Sequence, residues 1–234
     1  MKKLLLLLLF ILMSCATAPS TADKAQSEAF YQIGLSYMQE QRFQDAFVEL
    51  QKSIKTDPDN KEALNALGLI YIKFEDFDRA EQSFLDALDV DENFSDAYHN
   101  LGVVYTRKKE WDKSIVQFEN ALNNPLYAKP ETSYYNIGNA YYRLKKYRMA
   151  IKNYNHSLRR APKFYPAYYG LALCYNMIEK YGDAAQFLTE GIKLDPGIQG
   201  NRRKAGEVFT AGIVMTMEEE ERKDLDDLRE ILNY

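Results

Sequence analysis

Apolar residues recur along most of this chain at the spacing of amphipathic helices. Between residues 61 and 94, for example, Leu64, Leu67 and Tyr71 are three or four positions apart, which places them on one face of a helix. Polar turn segments that contain proline, aspartate or asparagine, such as residues 57–60 and 195–197, interrupt the pattern at intervals. The pattern therefore predicts an all-α chain of short helices joined by tight turns.

The helical pattern itself repeats about every 34 residues. Each copy has a small residue, followed by a tyrosine three positions later, an aromatic residue nine positions later and another small residue twelve positions later. The first small residues are Gly34, Gly68, Gly102, Gly138 and Ala172, and the tyrosines are Tyr37, Tyr71, Tyr105, Tyr141 and Tyr175. The later aromatic and small residues are Phe43, Phe77, Trp111, Tyr147 and Tyr181, and Ala46, Ala80, Ser114, Ala150 and Ala184.

These aligned positions resemble the signature of the tetratricopeptide repeat (TPR), a pair of antiparallel helices. The resemblance implies a right-handed α-solenoid of tandem TPR hairpins, and one hairpin cannot bury its apolar face without stacked neighbours. We expect the small residues of each pair to lie where its two helices approach most closely, with aromatic residues filling the space around them. The predicted repeats span residues 27–60, 61–94, 95–128, 131–164 and 165–198.

Residues 199–234 are predicted to form a degenerate sixth repeat and a capping helix. Gly206 and Phe209 keep the phase of the repeat, and Leu225, Leu228 and Ile231 share one helical face further on. Acidic residues stabilise a helix N-terminus, so we interpret the acidic run 218–221 as the start of the last helix.

The start of the chain has the pattern of a lipoprotein signal peptide at residues 1–14. Lys2 and Lys3 precede an apolar run, residues 4–12, that is too short to cross a membrane as a helix. The segment 12–15 resembles the lipobox of bacterial lipoproteins, which implies cleavage before Cys15 and a diacylglycerol on that residue. Ordinary secretion with cleavage after residues 16–18 is the alternative. By resemblance to Gram-negative lipoproteins, Ala16 after the cysteine implies the periplasmic face of the outer membrane, and the small, polar residues 15–26 predict a flexible tether.

Composition and motifs argue against several classes of function. The net charge of −4 does not favour nucleic acid as a partner, since phosphate binding needs a concentrated basic face. The sequence has two histidines, His99 and His156, at no metal-ligand spacing, and it has no phosphate-binding loop or hydrolase motif. Cys174 is expected to be a small core residue. We therefore predict a protein that binds proteins, with no catalytic site, no cofactor, no metal and no small-molecule substrate.

The TPR resemblance also implies where a partner binds, because the first helix of each TPR directs certain positions into a groove. Arginine and tyrosine at such positions are favoured interface anchors, whereas His99 is expected to be a solvated groove residue. The lysine, asparagine and arginine clamp of chaperone-binding TPR domains is not matched here. The candidate groove residues are Tyr31, Leu35, Asn65, Leu69, His99, Arg107, Tyr135, Asn139, Tyr142, Arg143, Tyr169 and Asn176.

A lipobox, a short tether, five TPRs and the segment Asn124-Pro125-Leu126-Tyr127 together resemble the type IV pilus lipoproteins of the PilF, PilW and Tgl family. That resemblance implies a pilotin, a lipid-anchored protein that helps to assemble or localise an outer-membrane secretin. Two further hypotheses stay open: a periplasmic TPR adaptor for cell-wall enzymes or another envelope complex, and an ordinary loop insertion at residues 123–130.

Overall fold

The computed structural model describes residues 18–234, and this part of the chain folds into α-helices joined by short turns. The helices pair as consecutive antiparallel hairpins. The predicted all-α fold of tandem helical hairpins is confirmed. In chain order the helices are α1 Thr21–Gln39, α2 Phe43–Thr56, α3 Lys61–Lys73, α4 Phe77–Val90, α5 Ser95–Arg107, α6 Trp111–Leu122, α7 Pro130–Arg143, α8 Tyr147–Arg160, α9 Tyr165–Met177, α10 Tyr181–Leu194, α11 Arg202–Met215 and α12 Glu219–Ile231.

Stacking of neighbouring pairs builds the array through α10. The first helix of each of the second to fifth pairs packs against the second helix of the pair before it. The first helices also contact one another at α1–α3, α3–α5 and α7–α9. Between α5 and α7 the approach is less close, and this is the boundary where residues 123–130 lengthen the connection.

In the first four pairs, the aligned glycine of the first helix is covered by a large side chain from the second helix, and in the fifth pair Ala172 shares one core with Leu188. A Cβ atom added to Gly68 would lie 2.5 Å from the ring of Phe84, and one on Gly102 would lie 2.8 Å from Phe118. The alanines of the second helices are buried beside this contact, as expected: Ala80 is fully buried, and a Cβ added to Gly34 would lie 3.5 Å from the carbonyl oxygen of Ala46. The covering residues form a further aligned set that the sequence reading missed: Leu50, Phe84, Phe118, Tyr154 and Leu188, all at most 1% exposed.

The turn inside each of the first five hairpins uses one residue in the left-handed conformation. Five non-glycine residues occupy these places with φ between 58° and 60°: Gln41, Glu75, Lys109, Lys145 and Glu179. The N–H of the residue after each of them bonds back to a carbonyl of the first helix, as from Asp76 to Tyr71 at 2.9 Å. This geometry closes the helix end and reverses the chain within a few residues.

Helix α1 begins earlier than we predicted. Residues 21–26 were expected to belong to the tether, but they are helical because Ser20 and Asp23 form a capping box. The Asp23 N–H donates to Ser20 Oγ at 3.1 Å, and the Ser20 N–H donates to the Asp23 carboxylate at 2.9 Å. The predicted signal peptide and the lipidation site Cys15 lie outside the described residues.

The last helix pair is arranged differently from the five before it. Here α12 packs against α9 and α10 as well as against α11. Leu228 and Ile231 of α12 are buried in one core with Leu188, Ile192 and Phe209. No helix within residues 18–234 is long and apolar enough to cross a membrane.

Candidate protein-binding groove

A cavity of about 590 Å³ lies among the first helices of the third, fourth and fifth pairs, and α12 forms its remaining wall. We call this cavity the groove. It lies where α5 and α7 approach each other less closely, beside the boundary at which residues 123–130 lengthen the connection, although α6 and α7 pack closely there. Six of the candidate residues line it: Arg107, Tyr135, Asn139, Tyr142, Arg143 and Tyr169.

The strongest polar contact in the groove joins α7 to α12. The guanidinium of Arg143 donates to both carboxylate oxygens of Asp224, from Nη1 at 3.1 Å and from Nη2 at 2.5 Å. The hydroxyl of Tyr142 also donates to Asp224 Oδ1, at 3.1 Å. The Arg143 and Asp224 side chains are only 20% and 18% exposed, so this pair is screened by water less than a surface pair.

Burial and the carboxylate of Asp224 both shift the pKa values of Tyr142 and Arg143. Burial raises the pKa of Tyr142, and the nearby carboxylate of Asp224 raises it further, which keeps the phenol protonated as a donor. Burial lowers the pKa of Arg143, but the hydrogen bonds and charge of Asp224 outweigh it and leave that pKa raised. The site therefore stabilises a carboxylate with one cation and one neutral donor.

Two weaker ion pairs join basic residues of the groove to acidic residues at the start of α12. Glu220 lies 3.8 Å from Nε of Arg143, and Glu218 lies 3.1 Å from Nζ of Lys109, which is in the turn after α5. Exposed pairs of this kind contribute between about 0 and 1 kcal/mol each. The acidic run at residues 218–221, which we interpreted as a helix start, thus also faces a basic wall.

Three candidate groove residues have structural roles that the sequence reading did not foresee. Asn139 accepts a hydrogen bond of 2.7 Å from the hydroxyl of Tyr154, a fully buried side chain of α8. The ring of Tyr135 packs 5.8 Å from that of Tyr154. Tyr169 donates to Asp195 at 2.9 Å and packs edge-on against Phe209. Both tyrosines also contact second helices: Tyr135 packs on Tyr154 of α8, and a Cβ added to Gly191 of α10 would lie 2.6 Å from the ring of Tyr169.

His99 is not the solvated residue that we expected. Its Nδ1 lies 2.8 Å from the hydroxyl oxygen of Ser133 on α7, and its ring packs against Phe118 and Tyr127. Tyr127 belongs to the longer connection, which folds back over the ring of His99. Burial lowers the pKa of His99 to about 4. His99 therefore fastens the third pair to the fourth as a neutral imidazole.

The remaining candidate residues lie away from this cavity. Tyr31 and Leu35 pack partly buried on the core of the first two pairs, and Leu69 packs on the next core. The Asn100 side chain donates to Asn65 at 2.9 Å. Asn176 accepts a hydrogen bond of 3.1 Å from the hydroxyl of Tyr234, beyond α12. The structure thus brings together six of the twelve candidates, all of them from the third to fifth pairs.

Other reactive groups do not add chemistry to the groove. Cys174 is fully buried in the core beside Tyr154, which confirms its predicted place. Burial raises the pKa of its thiol and keeps it in the neutral, less nucleophilic form. Within residues 18–234, no group of three or more His, Cys, Asp or Glu residues is placed to hold a metal ion. The arrangement in the groove is suited to binding.

Solved structures of known proteins share this fold over 69% to 89% of the chain. PilF of Pseudomonas aeruginosa is 20% identical, with a TM-score of 0.71 over 89% of this chain and 90% of that one. PilW, a widely conserved type IV pilus biogenesis factor, is 22% identical, with a TM-score of 0.71 over 88% and 90%. MamA is 24% identical, with a TM-score of 0.63 over 69% of this chain and 94% of its own. No functionally curated protein matches the sequence.

Three sequence profiles of the tetratricopeptide repeat match overlapping parts of the chain. They cover residues 37–103, 94–163 and 135–197. Together they run from residue 37 to residue 197, which is more than half of the chain and includes α2 to α10. The chain belongs to the tetratricopeptide-repeat proteins, and its fold resembles those of PilF and PilW.

Proposed function

We propose that this protein is an outer-membrane lipoprotein that acts as a pilotin: a TPR scaffold that binds the type IV pilus secretin and helps it to assemble or reach the membrane. One observation carries the proposal. The likeness to PilF and PilW covers 89% and 88% of this chain and 90% of each of theirs, whereas the likeness to MamA covers 69% of this chain. Fold and length together favour the pilus biogenesis factors over TPR proteins in general.

The groove supplies the recognition that such a scaffold needs. Arg107, Lys109 and Arg143 provide positive charge, and Tyr142 and Trp111 provide aromatic surface beside it. Arginine, tyrosine and tryptophan are the residue types that contribute most to protein interfaces. An extended or helical segment of a partner fits a groove between helices of this kind.

Membrane attachment in this proposal comes from Cys15. Acyl chains contribute about 0.8 kcal/mol for each buried CH₂ group, so two or more chains hold a protein stably on a membrane. A secretin subunit bound in the groove would thereby be carried to the membrane in which its ring assembles.

The proposal is tested in cells that carry a deletion of the gene. We expect heat-resistant secretin multimers, seen on unboiled gels, to be lost in the deletion and restored by the wild-type gene. A Cys15→Ala variant should abolish labelling with a fatty acid and fail to restore the multimers in the outer membrane.

Normal secretin multimers in the deletion strain would overturn the pilotin proposal. Equal fatty-acid labelling of wild type and the Cys15→Ala variant would overturn the anchor. Recovery of peptidoglycan hydrolases instead of secretin with the purified protein would favour the cell-wall adaptor.

A further inference from the structure

The two halves of α12 are held in the fold by different forces. Its second half contributes the buried side chains Leu228 and Ile231 to the last core. Its first half, residues 219–224, buries no apolar side chain, and residues 219–223 are exposed. The start of α12 is therefore held in the groove mainly by ion pairs and hydrogen bonds.

Those polar contacts form a built carboxylate site. Asp224 receives two hydrogen bonds from Arg143 and one from Tyr142. Glu220, one helical turn earlier, approaches the same guanidinium, and Glu218 pairs with Lys109. Glu220 and Asp224 are four residues apart and lie on one face of α12, whereas Glu218 immediately precedes the helix, so the groove binds one acidic turn of a helix and the residue before it.

The docked helix is not optimised as a permanent wall. Oδ2 of Asp227 is buried with no hydrogen-bond partner in the described residues. Burial raises the pKa of Asp227, which means that its ionised form is destabilised where it lies. A cavity of about 590 Å³ also remains between α12 and the helices opposite it. The cavity reduces the packing that holds the start of α12 in place, whereas Asp227 lowers the stability of the half that stays docked.

We propose that the groove binds an acidic helical segment of the partner protein, and that the first half of α12 occupies this site in the free protein as an internal competitor. The partner helix presents carboxylates one turn apart to Arg143 and Tyr142, with a further acid toward Lys109. This inference deepens the proposed function by giving the chemistry of the bound segment.

An internal competitor has a measurable consequence. An acidic helix can bind only those molecules whose groove is free of α12. Its apparent affinity is therefore its intrinsic affinity multiplied by the fraction of such molecules. Neutralising the acids of α12 should release its first half while Leu228 and Ile231 keep the second half docked. If the groove is free in about one molecule in ten of the wild type, the apparent affinity should rise about tenfold on release.

The test uses the full chain and a labelled synthetic peptide of its own residues 216–234 as the probe, with binding followed by fluorescence anisotropy. The release variant carries Glu218→Gln, Glu220→Gln and Asp224→Asn. We expect it to bind the probe about tenfold more tightly than the wild type. Adding Arg143→Met should abolish that gain, and a probe with the same three acids neutralised should not bind. Asp226→Asn is the matched control, because Asp226 is on the same helix but pairs with Arg229 of α12 itself.

Equal affinity of the wild type and the release variant for the probe would show that α12 does not compete for the groove. Tight binding of the neutralised probe would show that the groove does not select acidic helices. Amide hydrogen exchange on the release variant shows directly whether residues 219–224 have left the groove while α9 stays protected. The assay contains no secretin, so it separates the two proposals. Probe binding as expected, beside normal secretin multimers in the deletion strain, would leave the acidic-helix site standing and remove the pilotin function.

Discussion

The first five helix pairs and the last pair obey the same sequence phase but are packed in different ways. In the second pair, the ring of Phe84 lies so close to Gly68 that an added Cβ would be 2.5 Å away. Gly206 has the corresponding place in the last pair, and the nearest atom to its added Cβ, from Leu232, is 3.7 Å away. The repeat position thus marks a close helix contact in the second pair, whereas in the last pair that position is open. The close contact of the last pair lies instead at Gly212, where an added Cβ would be 2.8 Å from Leu225 of α12.

The largest effect should come from filling the close contact in the array. Gly68→Leu forces the ring of Phe84 out of its place, and we expect a loss of about 3 kcal/mol in the free energy of unfolding, measured by urea denaturation. Gly206→Ala is the contrasting change, because it adds a favourable helix former in ordinary contact distance. It should leave stability unchanged or raise it by up to about 1 kcal/mol. Similar losses of unfolding free energy in both variants would show that the position of Gly206 is packed as closely as that of Gly68.

The next largest effect should be the pH dependence of stability that arises from His99, whose ring joins the third pair to Ser133 of the fourth. The pKa of His99 falls from 6.5 to about 4 on folding, so the unfolded chain takes up the proton first as pH decreases. Above pH 6.5 the burial of His99 does not reduce the free energy of unfolding. Between pH 6.5 and pH 4 the unfolded chain is protonated at His99 and the folded chain is not, so the free energy of unfolding falls. Between pH 7 and pH 4.5 this should amount to about 2 kcal/mol.

Replacing His99 by Asn isolates this effect, because an amide can still bond Ser133 but does not titrate. The stability difference between wild type and variant should shrink or reverse as pH falls, when both are denatured in urea at each pH. A difference that stays constant from pH 7 to pH 4.5 would mean that His99 is not buried as a neutral group.

A smaller effect is expected in the last pair. Burial raises the pKa of Asp227, so its charged form destabilises the docked α12 at neutral pH, and this cost is relieved as pH falls through the raised pKa. Asp227→Asn should stabilise the protein at pH 7 by no more than about 1 kcal/mol, since the side chain is only partly shielded from solvent. The melting temperature of the variant should rise at pH 7, with Asp226→Asn showing no such rise.

The smallest effect should appear at the turns of the array. Glu75 adopts φ of 59°, a conformation that costs a non-glycine residue about 1 kcal/mol. Glu75→Gly removes that cost but gives the unfolded chain more freedom, which offsets part of the gain. We expect a net stabilisation of roughly 0.5 kcal/mol by urea denaturation. A loss of stability instead would show that the Glu75 side chain contributes more than its backbone conformation costs.

The array could be predicted from the sequence because its information is local and repeated. Glycine, tyrosine and alanine at fixed spacing specify each hairpin, and stacking follows from the exposed apolar faces. The covering residues such as Phe84 were missed, although each follows its aligned small residue by 16 positions, because the set mixes leucine with phenylalanine and tyrosine.

The groove was harder to predict because it depends on contacts between distant parts of the chain. Arg143 and Asp224 are far apart in sequence, and the run of acids before Asp224 had a sufficient local explanation as a helix start. The inward positions of the first helices were predicted from a single repeat and took no account of what covers them. The burial of His99 depends on Tyr127, which lies in the longer connection at residues 123–130 and packs on the His99 ring.

The difference between a rigid array and a displaceable last helix can be measured directly by native-state amide hydrogen exchange. We predict that amides of α3 exchange only through global unfolding, whereas residues 219–224 exchange through a local opening with a much lower free energy. Arg143→Met should lower the protection of residues 219–224 and leave that of residues 228–231 and of α3 nearly unchanged. Protection of residues 219–224 equal to that of α3, and unaffected by Arg143→Met, would contradict the account.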